Sequence, residues 1–354
     1  MKIVIFGLTI SSAWGNGHAT LWRGLCRALA QRGHDITFFE RDVPYYAAHR
    51  DTIDPPGCRL QLYEEWDPIR RDAEAAVADS DVAMVTSYCP DGAAACDLVV
   101  ASRATLRVFY DLDTPVTLQR LALRERVPYL PAQGLRDFDL VLSYTGGRAL
   151  DELRTQLGAR RVAPLYGSVD PDAHRRVEQP GMARVDLSYL GTYARDRQHR
   201  LEQLFIEPAR RCASRRFMLG GSQYPEDFPW VANIYYMSHM PPPMHPAFYS
   251  ASALTLNVTR GAMAEMGYCP SGRLFEAAAC GTPILSDTWE GIEDFFKPGE
   301  EILVARDTDE AIAALDVSEE ARTRMARAAR ERTLAQHTAE CRALDFEQIT
   351  ASAA

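Results

Sequence analysis

Lysine is almost missing from this chain. Of the 39 basic residues among its 354, only Lys2 and Lys297 are lysines and the other 37 are arginines. That scarcity argues against covalent catalysis through a Schiff-base lysine, the route of most pyridoxal-phosphate enzymes. No stretch reaches the ~18 apolar residues needed to cross a bilayer. The opening Met1-Lys2-Ile3-Val4-Ile5-Phe6 lacks the charged, apolar and small-residue order of a secretory leader. The cysteines (26, 58, 89, 96, 212, 269, 280 and 341) form no CxxC pair and join no histidine in a ligand cluster. Reduced thiols in a cytoplasmic protein without a bound metal are therefore expected. Positive charge is short as well: 39 basic against 48 acidic residues leave −9, which disfavours nucleic acid or an anionic membrane as partner. What is abundant, arginine, suits bidentate capture of phosphate or carboxylate.

At roughly 100–200 residues per domain the length predicts two domains, and the pattern supplies them. A strand over 3–8, a helix over 19–32 and a strand over 36–39 make a βαβ unit, hence a parallel sheet. The alternation continues with strands at 82–86, 105–110, 140–143 and 161–165. Helices are expected at 67–79, 91–102, 114–126 and 147–157. Residues 167–184, which include Pro171, Pro180 and Gly181, read as an interdomain connection. A second series has strands at 186–190, 216–219, 234–237, 254–258, 283–286 and 301–304. Its helices fall at 197–214, 244–251, 271–279, 308–315 and 318–337. The expected division is an N-terminal domain over 1–168, a linker over 169–185, a second domain over 186–335 and a helical tail over 336–354. That tail carries Leu344, Phe346 and Ile349 at helical spacing. It either packs locally or crosses back to the first domain.

Three segments carry candidate chemistry. The loop Gly15-Asn16-Gly17-His18 runs into a helix at the end of the first strand. Glycines there let backbone or ligand approach closely, and the helix dipole favours an anion. Glu40 ends the second strand, where a dinucleotide fold holds a ribose, but the glycine spacing does not match that fingerprint. A neutral His18 can take a proton from a hydroxyl near pH 7. Asp111 and Asp113 follow a central strand, where ligands of open parallel sheets collect. Asp113 reads equally as a helix cap. The third and most distinctive segment is Ser271-Gly272-Arg273 with Glu276, closing on Cys280-Gly281-Thr282-Pro283. Bare amides at the start of that helix can hold a diphosphate, Arg273 adds a fork of donors, and Glu276, one turn deeper, can accept both hydroxyls of a ribose.

With these residues in place the sequence resembles the GT-B glycosyltransferases, closest to the CgeB-like group and the "glycosyl transferases group 1" family. The resemblance covers roughly 186–335. It includes Leu187 to Tyr193, Leu256 to Arg260, Ser271 to Gly281, Gly291 to Phe296 and Gly299 to Ile302. It implies an α/β protein of two Rossmann-like domains facing a central cleft, with a C-terminal helical tail. Its activity would be transfer from a nucleoside-diphosphate sugar (UDP, dTDP or GDP type) to an acceptor nucleophile, with no metal or further cofactor. Donor residues implied are Gly191, Thr192 and Tyr193 of a phosphate-side loop, Arg195 on phosphate with Arg197 or Arg260 in place of the lysine often found there, and Ser271, Gly272 and Arg273 on the diphosphate. Glu276 would lie on the ribose and Tyr236, His239 or Met240 beside the base. On the acceptor side stand Gly15, Asn16, Gly17 and Asp113, with His18 or Asp111 as general base. A non-hydrolysing nucleotide-sugar epimerase and an inactive nucleotide-sugar-binding protein are the alternatives. Recovery of an epimerised nucleotide sugar marks the first, and donor binding without turnover marks the second.

Overall fold

A computed structural model describes residues 1–178 and 181–353. Pro180 of the expected linker lies outside them, as do Gln179 and Ala354. The chain divides into two compact units. The first comprises residues 1–167 and the final helix Ala339–Ala353, and the second runs from Ser168 to Thr338.

In the first unit seven parallel strands lie in the order β3-β2-β1-β4-β5-β6-β7. They are β1 (Lys2–Gly7), β2 (Asp35–Arg41), β3 (Arg59–Tyr63), β4 (Val82–Thr86), β5 (Leu106–Asp111), β6 (Leu140–Ser143) and β7 (Val162–Pro164). Side chains alternate across a strand, and here both faces are covered. Ile3, Ile5, Phe38, Met84 and Val108 enter one apolar cluster, while Val4, Phe6, Phe39, Val85 and Phe109 enter another. Such two-sided burial produces the near-continuous apolar runs seen in the sequence. β3 escapes the sequence reading because it is an edge strand whose Arg59 and Gln61 dilute the apolar pattern. The helix expected over 114–126 ends at Ala122, and Arg124 turns into the left-handed region (φ 57°) just beyond.

The final helix belongs to the first unit. Ala339, Ala343 and Phe346 join the cluster that holds Trp22, Leu25 and Leu29 of the helix His18–Gln31. Glu347 adds a bidentate pair with Arg32 (2.7 and 2.8 Å) and a bond to His34 (2.7 Å). Of the apolar residues expected to guide the tail, Phe346 is buried and Ile349 packs against the same cluster, but Leu344 is exposed. The inward stripe runs through Ala339, Ala343, Phe346, Thr350 and Ala353 instead.

The second unit holds six parallel strands in the order β10-β9-β8-β11-β12-β13. They are β8 (Leu187–Leu190), β9 (Phe217–Gly220), β10 (Ile234–Met237), β11 (Thr255–Asn257), β12 (Ile284–Ser286) and β13 (Leu303–Val304). The helix expected over 197–214 is broken into a 3₁₀ turn Arg195–Arg197, a turn Gln198–Leu201, a π segment Glu202–Ile206 and a last turn Glu207–Arg211. Pro208 sits in that last turn without an N–H to donate. The expected linker does not stand apart from this unit. Val169 bridges Thr338, Val185 bridges Ser252, and His174 is buried.

Candidate active site

In an open parallel sheet, ligands gather where the strand order reverses, outside the carboxyl ends of the strands. In the second unit this switch lies between β8 and β11. Arg273, early in the helix Gly272–Ala279, reaches both strand ends. Its Nη1 donates to Asn257 Oδ1 (2.9 Å) and its Nε to the Leu190 carbonyl. The guanidinium lies 4.9 Å from the Tyr189 ring centroid. A Cβ at position 191 would sit 2.8 Å from Arg273 Nη2, so the close approach requires Gly191. Burial opposes the Arg273 charge, but Tyr189, Tyr249 and Glu276 around it outweigh that and raise its pKa. Ser271 occupies the N-cap in an extended conformation (ψ 141°), yet its side chain takes none of the first helical amides. A guanidinium edge and uncapped amides therefore share one helix start, an arrangement that suits an anion.

Glu276, with a side chain 16% exposed, lies one turn on. Among the described residues its carboxylate accepts one hydrogen bond, from Tyr249 Oη (3.3 Å). An ionised carboxylate has about four acceptor positions, so capacity for two more hydroxyls remains. Burial pushes its pKa up, but His174, His245 and Arg273 outweigh this and bring it below the ordinary value. The two histidines come within 4.0 and 3.9 Å of it. Sequence reasoning missed both and Tyr249, and it gave Asn257, inside the matched stretch Leu256 to Arg260, no role of its own. They come from three separate segments, and no spacing rule joins them.

The other expected donor residues are placed less simply. The Gly191 and Tyr193 amides are taken by the Gly220 and Ser222 carbonyls, each at 2.9 Å. The Thr192 carbonyl accepts from Arg197 Nη1 (3.3 Å). Those two amides are thus not turned toward a phosphate, and what the Gly191 loop offers is room for Arg273. Arg260 pairs with Asp196 (3.0 Å), while Arg195 is exposed at the start of its 3₁₀ turn. His239 is half-buried; Met240 is buried, and its carbonyl faces His245 Nε2 (3.1 Å).

In the first unit the order reverses between β1 and β4. The loop after β1 is fixed from within. Glu40, fully buried, accepts from Thr9 Oγ1 (2.9 Å), the Ile10 and Ser11 amides (2.7 and 3.0 Å) and Ser11 Oγ (2.6 Å). The Glu40 oxygens therefore hold the loop, in keeping with the mismatch of the glycine spacing to a dinucleotide fingerprint. Gly15 takes a left-handed turn (φ 66°), Gly17 is the N-cap, and Asn16 Oδ1 accepts from the amides of His18 (3.0 Å) and Ala19 (3.3 Å). Those helical amides are thereby occupied, so the anion expected at this helix start gives way to an internal cap.

His18 packs edge-on against Tyr88 (5.6 Å between centroids), and its Nδ1 is buried without a hydrogen-bond partner. Tyr88 Oη donates to Asp113 Oδ2 (2.8 Å). Burial lowers the His18 pKa and Asp113 partly restores it. The carboxylate whose charge acts on His18 is thus Asp113. Nor does the Asp113 side chain cap the following helix. Tyr88, invisible to sequence reasoning, holds a left-handed φ of 64° beside the switch point, a conformation that costs a bulky residue energy and often marks functional positions.

Asp111 is fully buried and accepts from the Asp113 amide (3.1 Å). Burial pushes its pKa up to about 6. A carboxyl raised in the folded state loses its proton later than in the unfolded chain, so stability falls as pH rises from about 4 to 6 and the loss is complete above that. Two pKa units correspond to about 3 kcal/mol. Asp111→Asn is expected to stabilise the protein by up to that amount at pH 8 and by little at pH 4. Urea melts at the two pH values measure this, and equal gains at both would remove the buried charge as the cause.

Residues 197–348 match a family model described as Glycosyl transferase-like. No curated protein matches the chain in sequence. Several solved structures match nearly end to end. Sucrose-phosphate synthase from Thermosynechococcus elongatus is 15% identical, with 99% of this chain and 98% of that one covered and a TM-score of 0.70. Anabaena HepE, solved with UDP and glucose, is 13% identical over 99% and 100%, with a TM-score of 0.72. An alpha-glucosyltransferase in complex with UDP is 13% identical over 99% and 100%, with a TM-score of 0.70. No helix of the described residues is long and apolar enough to cross a membrane. The chain has the GT-B fold of two Rossmann-like units, and its residues 197–348 match the glycosyl transferase-like family.

Proposed function

We propose that the protein transfers a sugar from a nucleoside-diphosphate sugar to an acceptor nucleophile. The observation that carries the reading is Arg273 spanning the β8 and β11 ends beside an uncapped helix start. A diphosphate leaving group needs its growing negative charge stabilised, and preformed N–H donors with a fixed cation do this without reorganisation. Glu276 receives the ribose hydroxyls. In the first unit His18 acts on the acceptor, with Asp113 and Tyr88 behind it, and Asp111 is the alternative base. HepE and the alpha-glucosyltransferase were solved in complex with UDP, which puts UDP ahead of GDP and dTDP. The alpha-glucosyltransferase has also been solved with a 13-mer DNA. For this chain the net charge of −9 favours a smaller or uncharged acceptor.

Melting in the presence of each nucleotide tests the donor. At 100 times its dissociation constant a ligand adds about 2.7 kcal/mol to stability, so one nucleoside diphosphate should raise the melting temperature by several degrees. Glu276→Ala should weaken that nucleotide at least tenfold, because each hydrogen bond to a charged group is worth roughly 1.5–3 kcal/mol. A protein whose melting none of the three diphosphates moves would overturn the reading. Recovery of an epimerised nucleotide sugar with no acceptor product would replace it with the epimerase.

A further inference from the structure

The histidines beside Glu276 form a cluster that nucleotide binding does not explain. His174 Nε2 lies 3.4 Å from His245 Nδ1 and 4.0 Å from Glu276 Oε1, and His245 Nδ1 lies 3.9 Å from Glu276 Oε2. With one ligand atom taken from each residue, all three lie within 4.8 Å of one another. Zinc bound at about 2.0–2.1 Å in a tetrahedron separates its ligands by roughly 3.3–3.4 Å. The His174–His245 separation already has that length, and each imidazole nitrogen is about half an ångström too far from its nearer carboxylate oxygen, Oε1 for His174 and Oε2 for His245.

The hydrogen bonds fix which atoms face inward. His245 Nε2 sits 3.1 Å from the Met240 carbonyl. A carbonyl cannot donate, so in the neutral ring that nitrogen carries the hydrogen and Nδ1 presents a bare lone pair. The carboxylate likewise only accepts. His174 Nε2 has one hydrogen at most and faces both acceptors from a side chain that is 1% exposed. Its other nitrogen, Nδ1, is buried without a hydrogen-bond partner. A cation at the centre satisfies all three inward atoms at once. The backbone carbonyl behind His245 is also the outer-shell partner that orients a metal-bound imidazole and raises its basicity.

We propose that His174, His245 and Glu276 form a zinc-binding site and that zinc and the nucleotide-sugar donor exclude one another. Two imidazoles and one carboxylate are an established zinc donor set, with a fourth position left to water. Exclusion follows because Glu276 serves both ligands, and this part rests on its assignment to the donor ribose. Zinc would thus act as an inhibitor at the donor site.

Cobalt(II) replaces zinc and reports its coordination in visible absorption. Chelator-treated protein titrated with Co²⁺ is expected to bind one ion per chain with the intense bands of a four-coordinate centre, and Zn²⁺ should displace it. His245→Gln and His174→Gln should each weaken Zn²⁺ binding at least about tenfold, with circular dichroism confirming that each is folded. Because His174 is deeply buried, the more accessible His245 provides the independent variant. Adding UDP-glucose, or whichever donor the melting screen selects, should discharge the cobalt spectrum. Absence of stoichiometric Co²⁺ binding would overturn the site, as would binding that ignores the His245→Gln change. Tight Co²⁺ binding that persists under saturating donor would overturn the exclusion. Nucleotide binding by the metal-free protein, measured separately, judges the donor assignment itself.

Discussion

His18→Ala should lower turnover by about 10²–10⁴-fold, the usual cost of losing a general base, while donor affinity stays within a few-fold of the parent. His18 begins its helix beside the strand-order switch of the first unit, so the helix His18–Gln31 and the Asn16 cap fix its position. Burial lowers its pKa below the ordinary 6.5 and Asp113 only partly restores it, so the ring is neutral and basic at pH 7. The rate should therefore fall on acidification through a value below 6.5. Asp113→Asn removes the contribution that raises the pKa and should move that limb lower still, a shift that a merely structural Asp113 would not produce. Asp111→Asn separates the alternative base. If it removes turnover while His18→Ala does not, the proton goes to Asp111. A base acting on the acceptor goes with inversion, so a product that keeps the donor's anomeric configuration would count against both residues.

The sequence made the two sheets legible because their strands are buried on both faces and read as unbroken apolar runs, as in Ile3-Val4-Ile5-Phe6. What it hid were an element whose pattern is diluted, edge strand β3, and the π segment Glu202–Ile206 that precedes Pro208 within an otherwise expected helix. At the candidate site, Ser271 to Glu276 could be read because one helical turn carries it. The partners of that turn could not. Asn257 and Leu190 end two strands far apart in sequence, and only the reversal of strand order makes them neighbours of Arg273. His174 came from a segment whose Pro and charge content signalled a linker, yet its side chain is among the more deeply buried polar groups. Glu40 shows the converse. A carboxylate at a strand end has the right position for a ribose, but nearby amides and hydroxyls claim it first.

Arg273→Lys is expected to weaken nucleoside-diphosphate binding by about 10²–10³-fold. Lysine keeps the charge but not the planar fork. In the native protein Nε is committed to the Leu190 carbonyl and Nη1 to Asn257 Oδ1, which fixes the plane and leaves Nη2, beside Gly191, as the nitrogen able to turn to a ligand. A single ammonium cannot satisfy the Leu190 carbonyl and the Asn257 amide together while also facing a phosphate. The substitution thus removes hydrogen bonds from a charged donor, each worth roughly 1.5–3 kcal/mol, and loosens the two strand ends that shape the site. These effects separate experimentally. Loss of anchoring appears as a lower melting temperature without nucleotide, and loss of recognition appears as a higher dissociation constant for the diphosphate but not for the nucleoside. Tight diphosphate binding by the lysine variant would show that charge alone suffices. Arg195, exposed on its 3₁₀ turn, would then be the arginine to replace next.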